Sequence, residues 1–145
     1  MKVKVCGVTN LEDAVMCEEL GADAVGFVHV KGRSRSLPLA AIAEICSSLG
    51  PMVTRVLVCA PCDVSEALRM ADGSRVDVIQ MYSLDPQAVG EIRRQGVKVI
   101  RALLPIRSEA IRFGDTADAL LFESGMPGTG TPIDLSLIPI DGCRR

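Results

Sequence analysis

The sequence predicts an α/β fold built on a parallel sheet, and three observations carry that expectation. Short apolar runs rich in valine, isoleucine and alanine recur along the chain, each separated from the next by a stretch of helical character. The repeating unit is roughly 20 to 25 residues, enough for one strand, one helix and two short connections. Aromatic residues make up 3% of a chain that is 48% hydrophobic, a composition suited to strands buried on both faces beneath aliphatic helices. Such alternation implies right-handed crossovers between parallel neighbours. The periodicity fits a barrel and an open doubly wound sheet equally well.

Residues 2–6 read as the first strand, because Val3 and Val5 are β-branched and alternate with lysines. Gly7 lets the backbone turn, Thr9 or Asn10 can cap, and Glu12 and Asp13 suit the first turn of a helix over 10–20. Gly21-Ala22-Asp23 leads into a second strand over 24–30, and a helix over 39–49 is stopped by Gly50-Pro51. Strands recur near 55–59, 76–81 and 97–104, with helices near 64–71 and 86–95 between them. A helix over 108–113 precedes a sixth strand at 119–122. No internal repeat, low-complexity stretch or charge run marks a linker, so residues 1–145 are expected to form a single domain.

A net charge of −2 with scattered basic residues argues against a nucleic-acid surface. The apolar runs are too short for a membrane span and no signal-peptide pattern opens the chain, so a cytoplasmic protein is expected. Six cysteines, at 6, 17, 46, 59, 62 and 143, fall mostly within helical or strand-like apolar patterns rather than in a loop-rich disulfide framework. Cys59-Ala60-Pro61-Cys62 has the spacing of a thiol-redox pair, but one histidine and no second cysteine pair leave it short of a zinc site. Cys59 is expected to end a core strand and Cys62 to sit in a loop.

Three places attract chemistry. Cys6 is delivered to the carboxyl end of the first strand, beside a helix N-terminus, the edge at which α/β folds bind ligands. A thiolate there can take a proton from carbon; the plain alternative is a small buried hydrophobe. The loop Lys31-Gly32-Arg33-Ser34-Arg35-Ser36-Leu37-Pro38 gathers three cations and two hydroxyls, a set suited to a carboxylate or phosphate. Glu123 tips the sixth strand and is followed by the glycine-rich run Gly125-Met126-Pro127-Gly128-Thr129-Gly130, whose N–H groups suit an anion.

Taken in order, these segments resemble the phosphoribosylanthranilate isomerase family of tryptophan biosynthesis. Lys4-Val5-Cys6-Gly7-Val8-Thr9 with Glu12-Asp13-Ala14 is similar to its opening signature, and Gly21-Ala22-Asp23-Ala24-Val25-Gly26-Phe27 to its second strand. Ser34-Arg35, Ile79-Gln80-Met81, Leu121-Phe122-Glu123, Gly128-Thr129-Gly130 and Ile133-Asp134-Leu135 resemble later elements. The resemblance implies a TIM barrel and a cofactor-free, metal-free Amadori rearrangement of a small phosphorylated substrate. It implies Cys6 as base and Glu123 as acid, with Lys4, Arg35, Gln80, Gly128 and Gly130 on the substrate.

The departures from the family pattern are specific. Glu123 stands where the family carries aspartate, Tyr82-Ser83 where histidine and glycine are common, and Pro127 where a loop glycine is. Six βα units are read where a barrel has eight, so the expectation is a partial barrel, either truncated or open to completion by homo-oligomerisation or by a second chain. The alternative function is a catalytically inactive relative serving as a sugar-phosphate or anion-binding or assembly module, with Arg33, Arg35 and the Gly128–Gly130 loop as its site. A thiol-redox protein using Cys59 and Cys62 is the third reading.

Overall fold

Strand and helix alternate without exception along residues 1–124, the part of the chain that the computed structural model describes. The elements are β1 (Lys4–Cys6), α1 (Leu11–Glu19), β2 (Ala24–His29), α2 (Leu39–Ser48), β3 (Thr54–Cys59), α3 (Val64–Ser74), β4 (Val78–Met81), α4 (Pro86–Arg94), β5 (Lys98–Leu103), α5 (Arg107–Phe113) and β6 (Ala119–Phe122). Aspartate and asparagine fix three helix starts: Asn10, Asp63 and Asp85 accept the backbone N–H of Asp13, Glu66 and Ala88. The helix expected over 64–71 runs on through Gly73 and ends at Arg75, whose φ of 55° is left-handed. β1 begins later than expected, at Lys4, because the Val3 carbonyl is taken by the N–H groups of Asp23 and Ala24, 2.9 and 3.2 Å away.

All six strands are parallel, and they stand in sequence order, β1-β2-β3-β4-β5-β6. A doubly wound sheet would reverse its order at a switch point and carry helices on both faces. Right-handed crossovers between successive neighbours place every helix on one face. The sheet is therefore a curled half-barrel, the alternative that periodicity left open.

One face of the strands carries Val25, Phe27, Leu57, Ile79, Met81 and Val99, packed in a single cluster with Ile42, Ile45, Ala67, Val89, Ile92 and Phe113 of the helices. Strand alternation turns Cys6, Gly26, Val56, Val58, Gln80 and Ala102 to the other face, the interior of the curl. β1 has a strand on one side only among the described residues. Near that edge Val3, Val5, Leu11 and Met16 are exposed, whereas Val25 on β2 is fully buried.

The amino edge of the sheet holds a repeat that the sequence reading did not find. Asp23, Asp77 and Asp118 each stand immediately before an even-numbered strand. Each accepts a backbone N–H from the start of the preceding odd strand: Val3 at 2.7 Å, Arg55 at 2.8 Å and Val99 at 2.9 Å. Each also pairs with a cation, Lys2 at 3.1 Å, Arg55 at 2.6 Å, and Lys98 and Arg93 both at 3.2 Å. The sheet is thus built from latched pairs, β1–β2, β3–β4 and β5–β6. The matching positions before β3 and β5 are Val53 and Val97.

These contacts hold all three carboxyls below the usual carboxylate range. The Val3 N–H and then Lys2 act on Asp23; the Arg55 side chain acts on Asp77. Burial works in the opposite direction at Asp118 but is outweighed by the Val99 N–H and the Lys98 and Arg93 cations. A carboxylate whose pKa is depressed on folding contributes stability above its unfolded pKa, near about 4, and loses it as pH falls through the lower folded value. The urea midpoint is therefore expected to hold between about pH 7 and 5 and to fall below about pH 4. Asp77→Asn should lower the neutral midpoint and flatten that acid fall. An unchanged acid profile in Asp77→Asn would remove the Asp77 latch from this account.

Cys59 closes β3 and is fully buried, and burial pushes its thiol up to about 12. Cys62 is exposed in the loop that follows, with its own thiol raised by a hydrogen bond to Glu66 and by the Glu66 and Asp63 charges. A thiol-redox pair needs a lowered thiol as nucleophile, and this environment does the opposite.

Candidate active site

Cys6 is the last residue of β1 and is exposed on the interior face of the curl. Its register partner on β2 is Gly26. A Cβ at position 26 would lie 2.9 Å from the Cys6 sulfur and 3.3 Å from its Cα, so the thiol occupies space that only glycine leaves. Gly7 then turns the chain at φ +83°, and the N–H groups of Gly7 and Val8 both donate to the Gly26 carbonyl, at 2.8 and 3.1 Å.

Arg35 reaches this turn from the β2–α2 loop. A Cβ on Gly7 would sit 2.8 Å from the Arg35 Nη1, so the guanidinium lies directly against the turn that follows Cys6. The loop is folded back onto β2: the Leu37 N–H donates to the Val28 carbonyl, the Val30 N–H to Ser36 Oγ, and His29 Nδ1 to the Leu37 carbonyl. His29 is thereby a fixture of the loop, while Arg33 and Arg35 remain exposed.

The curl brings distant strands together. Lys4 Nζ on β1 donates to Oε1 of Gln80 on β4, which is almost fully buried. Three strand spacings alone would hold their backbones at least about 14 Å apart in a flat sheet. The Tyr82 hydroxyl, just past β4, donates to Glu123, just past β6, lying 3.1 Å from each carboxylate oxygen. Burial, then the Glu123 charge and that hydrogen bond, push the Tyr82 phenol up to about 12, against a lowering by Gln80; the charge of Cys6 adds a smaller rise. The phenol therefore stays protonated, a standing donor, across the physiological range.

Tyr82 and Glu123 open onto a cavity of about 520 Å³ whose further walls include Ala102, Leu104 and Ile106. Arg101 and Glu109 join Tyr82 and Glu123 on its polar side, so the cavity suits a ligand with both polar and apolar parts. Cys6, Gln80 and Glu123 thus belong to one face and the carboxyl half of one sheet; Lys4 starts β1 on the same face and reaches Gln80 with its side chain, and Arg35 lies over the first turn. Gly128 and Gly130 lie outside the described residues. Among the described residues no cluster of three or more His, Cys, Asp or Glu side chains could hold a metal, and no helix is long and apolar enough to cross a membrane. Sequence reasoning missed two contributors, Gly26 and Tyr82. A glycine inside a strand, which marks a close approach, was the signal available for the first.

A family model described as N-(5'phosphoribosyl)anthranilate (PRA) isomerase matches residues 3–141. A curated relative from Methanothermobacter marburgensis, named N-(5'-phosphoribosyl)anthranilate isomerase, is 39% identical over 92 residues, covering 63% of this chain and 40% of the relative. The crystal structure of phosphoribosyl anthranilate isomerase from Thermus thermophilus matches with a TM-score of 0.84 at 36% identity, over 94% of this chain and 69% of that one. A crystal structure of phosphoribosyl anthranilate isomerase in complex with reduced 1-(o-carboxyphenylamino)-1-deoxyribulose 5-phosphate matches with a TM-score of 0.75 at 28% identity, over 85% of this chain and 64% of that one. The match thus spans under half of the first protein and about two thirds of the two solved ones.

Proposed function

The chain belongs to the N-(5'-phosphoribosyl)anthranilate isomerase family, and from that premise we propose that its interior face carries the Amadori rearrangement of N-(5'-phosphoribosyl)anthranilate to 1-(o-carboxyphenylamino)-1-deoxyribulose 5-phosphate, a step of tryptophan biosynthesis. The observation that carries the proposal is the shared edge: Cys6 ends β1, Glu123 follows β6, and the Tyr82 hydroxyl donates to Glu123.

The reaction divides between those two side chains. In its acid form, with one carboxyl oxygen carrying the proton and the other still accepting from Tyr82, Glu123 gives that proton to the furanose ring oxygen, and the C1–O bond breaks as the nitrogen lone pair forms the C1=N iminium. The Cys6 thiolate then removes the proton from C2, and the electron pair flows into the iminium to give an enolamine. Tautomerisation of the enol delivers the C2 ketone. Acid and base act on the two ring atoms that flank C1, and no hydride or redox partner enters the balance. Arg35 grips a carboxylate or phosphate oxygen from its place over Gly7, a task its planar fork performs well. Lys4 and Gln80 supply a cation and an amide to the sugar hydroxyls, and the apolar wall at Ala102, Leu104 and Ile106 takes the aromatic ring. The exposed apolar edge at Val3 and Val5 is the surface that a second copy or a further chain would cover.

The test is turnover itself. Freshly generated phosphoribosylanthranilate, followed by the loss of its fluorescence, is expected to be consumed by the purified chain. A folded chain that binds the phosphorylated product yet turns nothing over would overturn the catalytic reading in favour of an anion-binding module.

A further inference from the structure

Glu123 is a long side chain with three rotatable bonds at the end of the sixth strand, and a general acid works only where its proton is held in place. What holds it is a side chain from two strands away. We propose that Tyr82 is a positioning residue for Glu123, fixed in turn by an Arg101 clamp on the backbone either side of it; this rests on the catalytic reading of Glu123 above.

Three observations build the device. The Tyr82 hydroxyl sits 3.1 Å from both Glu123 oxygens, so it centres the carboxylate rather than tilting one oxygen away. Tyrosine has only two side-chain rotors, which makes it a stiff strut. The backbone that carries it is tied at both neighbours, because Arg101 Nη1 donates to the Met81 carbonyl at 3.2 Å and the Ser83 carbonyl at 2.8 Å. Ser83 Oγ adds a bond to the Pro61 carbonyl at 2.7 Å.

Arg101 lines the same cavity as Tyr82 and Glu123, with Glu109 close by. It is buried on β5 on the helix side of the sheet, with its guanidinium 4.5 Å from the Phe113 ring centre and its Nε without a hydrogen-bond partner among the described residues. Burial lowers its pKa, the mark of a charge kept where solvent is scarce. An apolar residue would pack there at less cost. The clamp gives the arginine a purpose: it sets the strand end from which Tyr82 crosses β5 to reach Glu123.

Tyr82 is the only tyrosine of the chain, so isotope-labelled tyrosine gives a single ζ-carbon resonance that reports its hydroxyl contact without turnover. That resonance is expected to move in Glu123→Gln and to move similarly in Arg101→Met. In turnover, Tyr82→Phe should lower kcat about ten- to a hundredfold with KM within about twofold, the pattern of a displaced acid. Added to Glu123→Gln it should cost nothing more. Arg101→Lys, which keeps one cationic donor, should recover part of the Arg101→Met loss. An unmoved tyrosine resonance in Glu123→Gln overturns the contact. Full kcat in Tyr82→Phe, alongside inactive Glu123→Gln, overturns the positioning role alone. Full turnover in Glu123→Gln overturns the catalytic reading and the role with it, and the resonance shift still tells the two failures apart.

Discussion

Cys6→Ser is expected to lower kcat on phosphoribosylanthranilate by about 10²–10⁴-fold, the range a single placed proton acceptor contributes. The exchange trades sulfur for a smaller oxygen in a slot that Gly26 leaves open, so no clash arises and the strand end keeps its geometry. Cys6 is exposed, so no core packing is lost either. What disappears is the proton-accepting thiolate, since an unassisted serine hydroxyl is not ionised near neutral pH. The urea midpoint should match the unmodified chain, and binding of the phosphorylated product should survive. Comparable kcat in the serine variant would assign C2 deprotonation to another group.

Glu123→Gln should cost a similar about 10²–10⁴-fold in kcat, through the other half of the proton inventory. The amide fills the same volume, so the cavity wall is kept, while the carboxylate charge beside the Tyr82 hydroxyl is lost. It has no acidic proton for the furanose oxygen, and ring opening fails first. Glu123→Asp separates chemistry from reach. Its carboxyl retreats by about one ångström, away from the Tyr82 hydroxyl, and a displacement of that size can cost about 10²-fold. Because acid and base serve one sequence of steps, the Cys6→Ser/Glu123→Gln double variant should fall little below either single one. The ring-opened iminium is the diagnostic: its accumulation in Glu123→Gln would contradict this order of steps.

The candidate site was readable from sequence where a residue's role follows from its place along one strand. Cys6 and Glu123 end apolar strands, and Arg35 lies in a basic loop after another, so strand position alone put all three at one edge. The element boundaries followed from β-branched runs, from Thr9 or Asn10 as a cap and from the stop at Gly50-Pro51; Asp63 and Asp85 emerged as caps only in the structure. What depends on pairing across the sheet was not readable. Gly26 matters through its register with Cys6, and Tyr82 through a hydroxyl that crosses β5. Sheet order decided the barrel, and periodicity is blind to order. The three aspartate latches escaped notice because unequal intervals separate Asp23, Asp77 and Asp118 in the chain.

Those latches also impose a direction in time. In each pair the aspartate lies after the odd strand whose N–H it holds: Asp23 after Val3, Asp77 after Arg55, Asp118 after Val99. On a ribosome, an odd strand therefore emerges before the carboxylate that pins its register. Because neighbours in the sheet are neighbours in sequence among the described residues, no described strand pair has to wait for a distant partner. The nascent chain should thus settle two strands at a time. Pulse-labelled stalled chains are expected to show the Val3, Arg55 and Val99 amides becoming protected in that order, each only once the following even strand has cleared the exit tunnel. Protection of Arg55 before Asp77 has emerged would mean that the odd strand finds its register unaided.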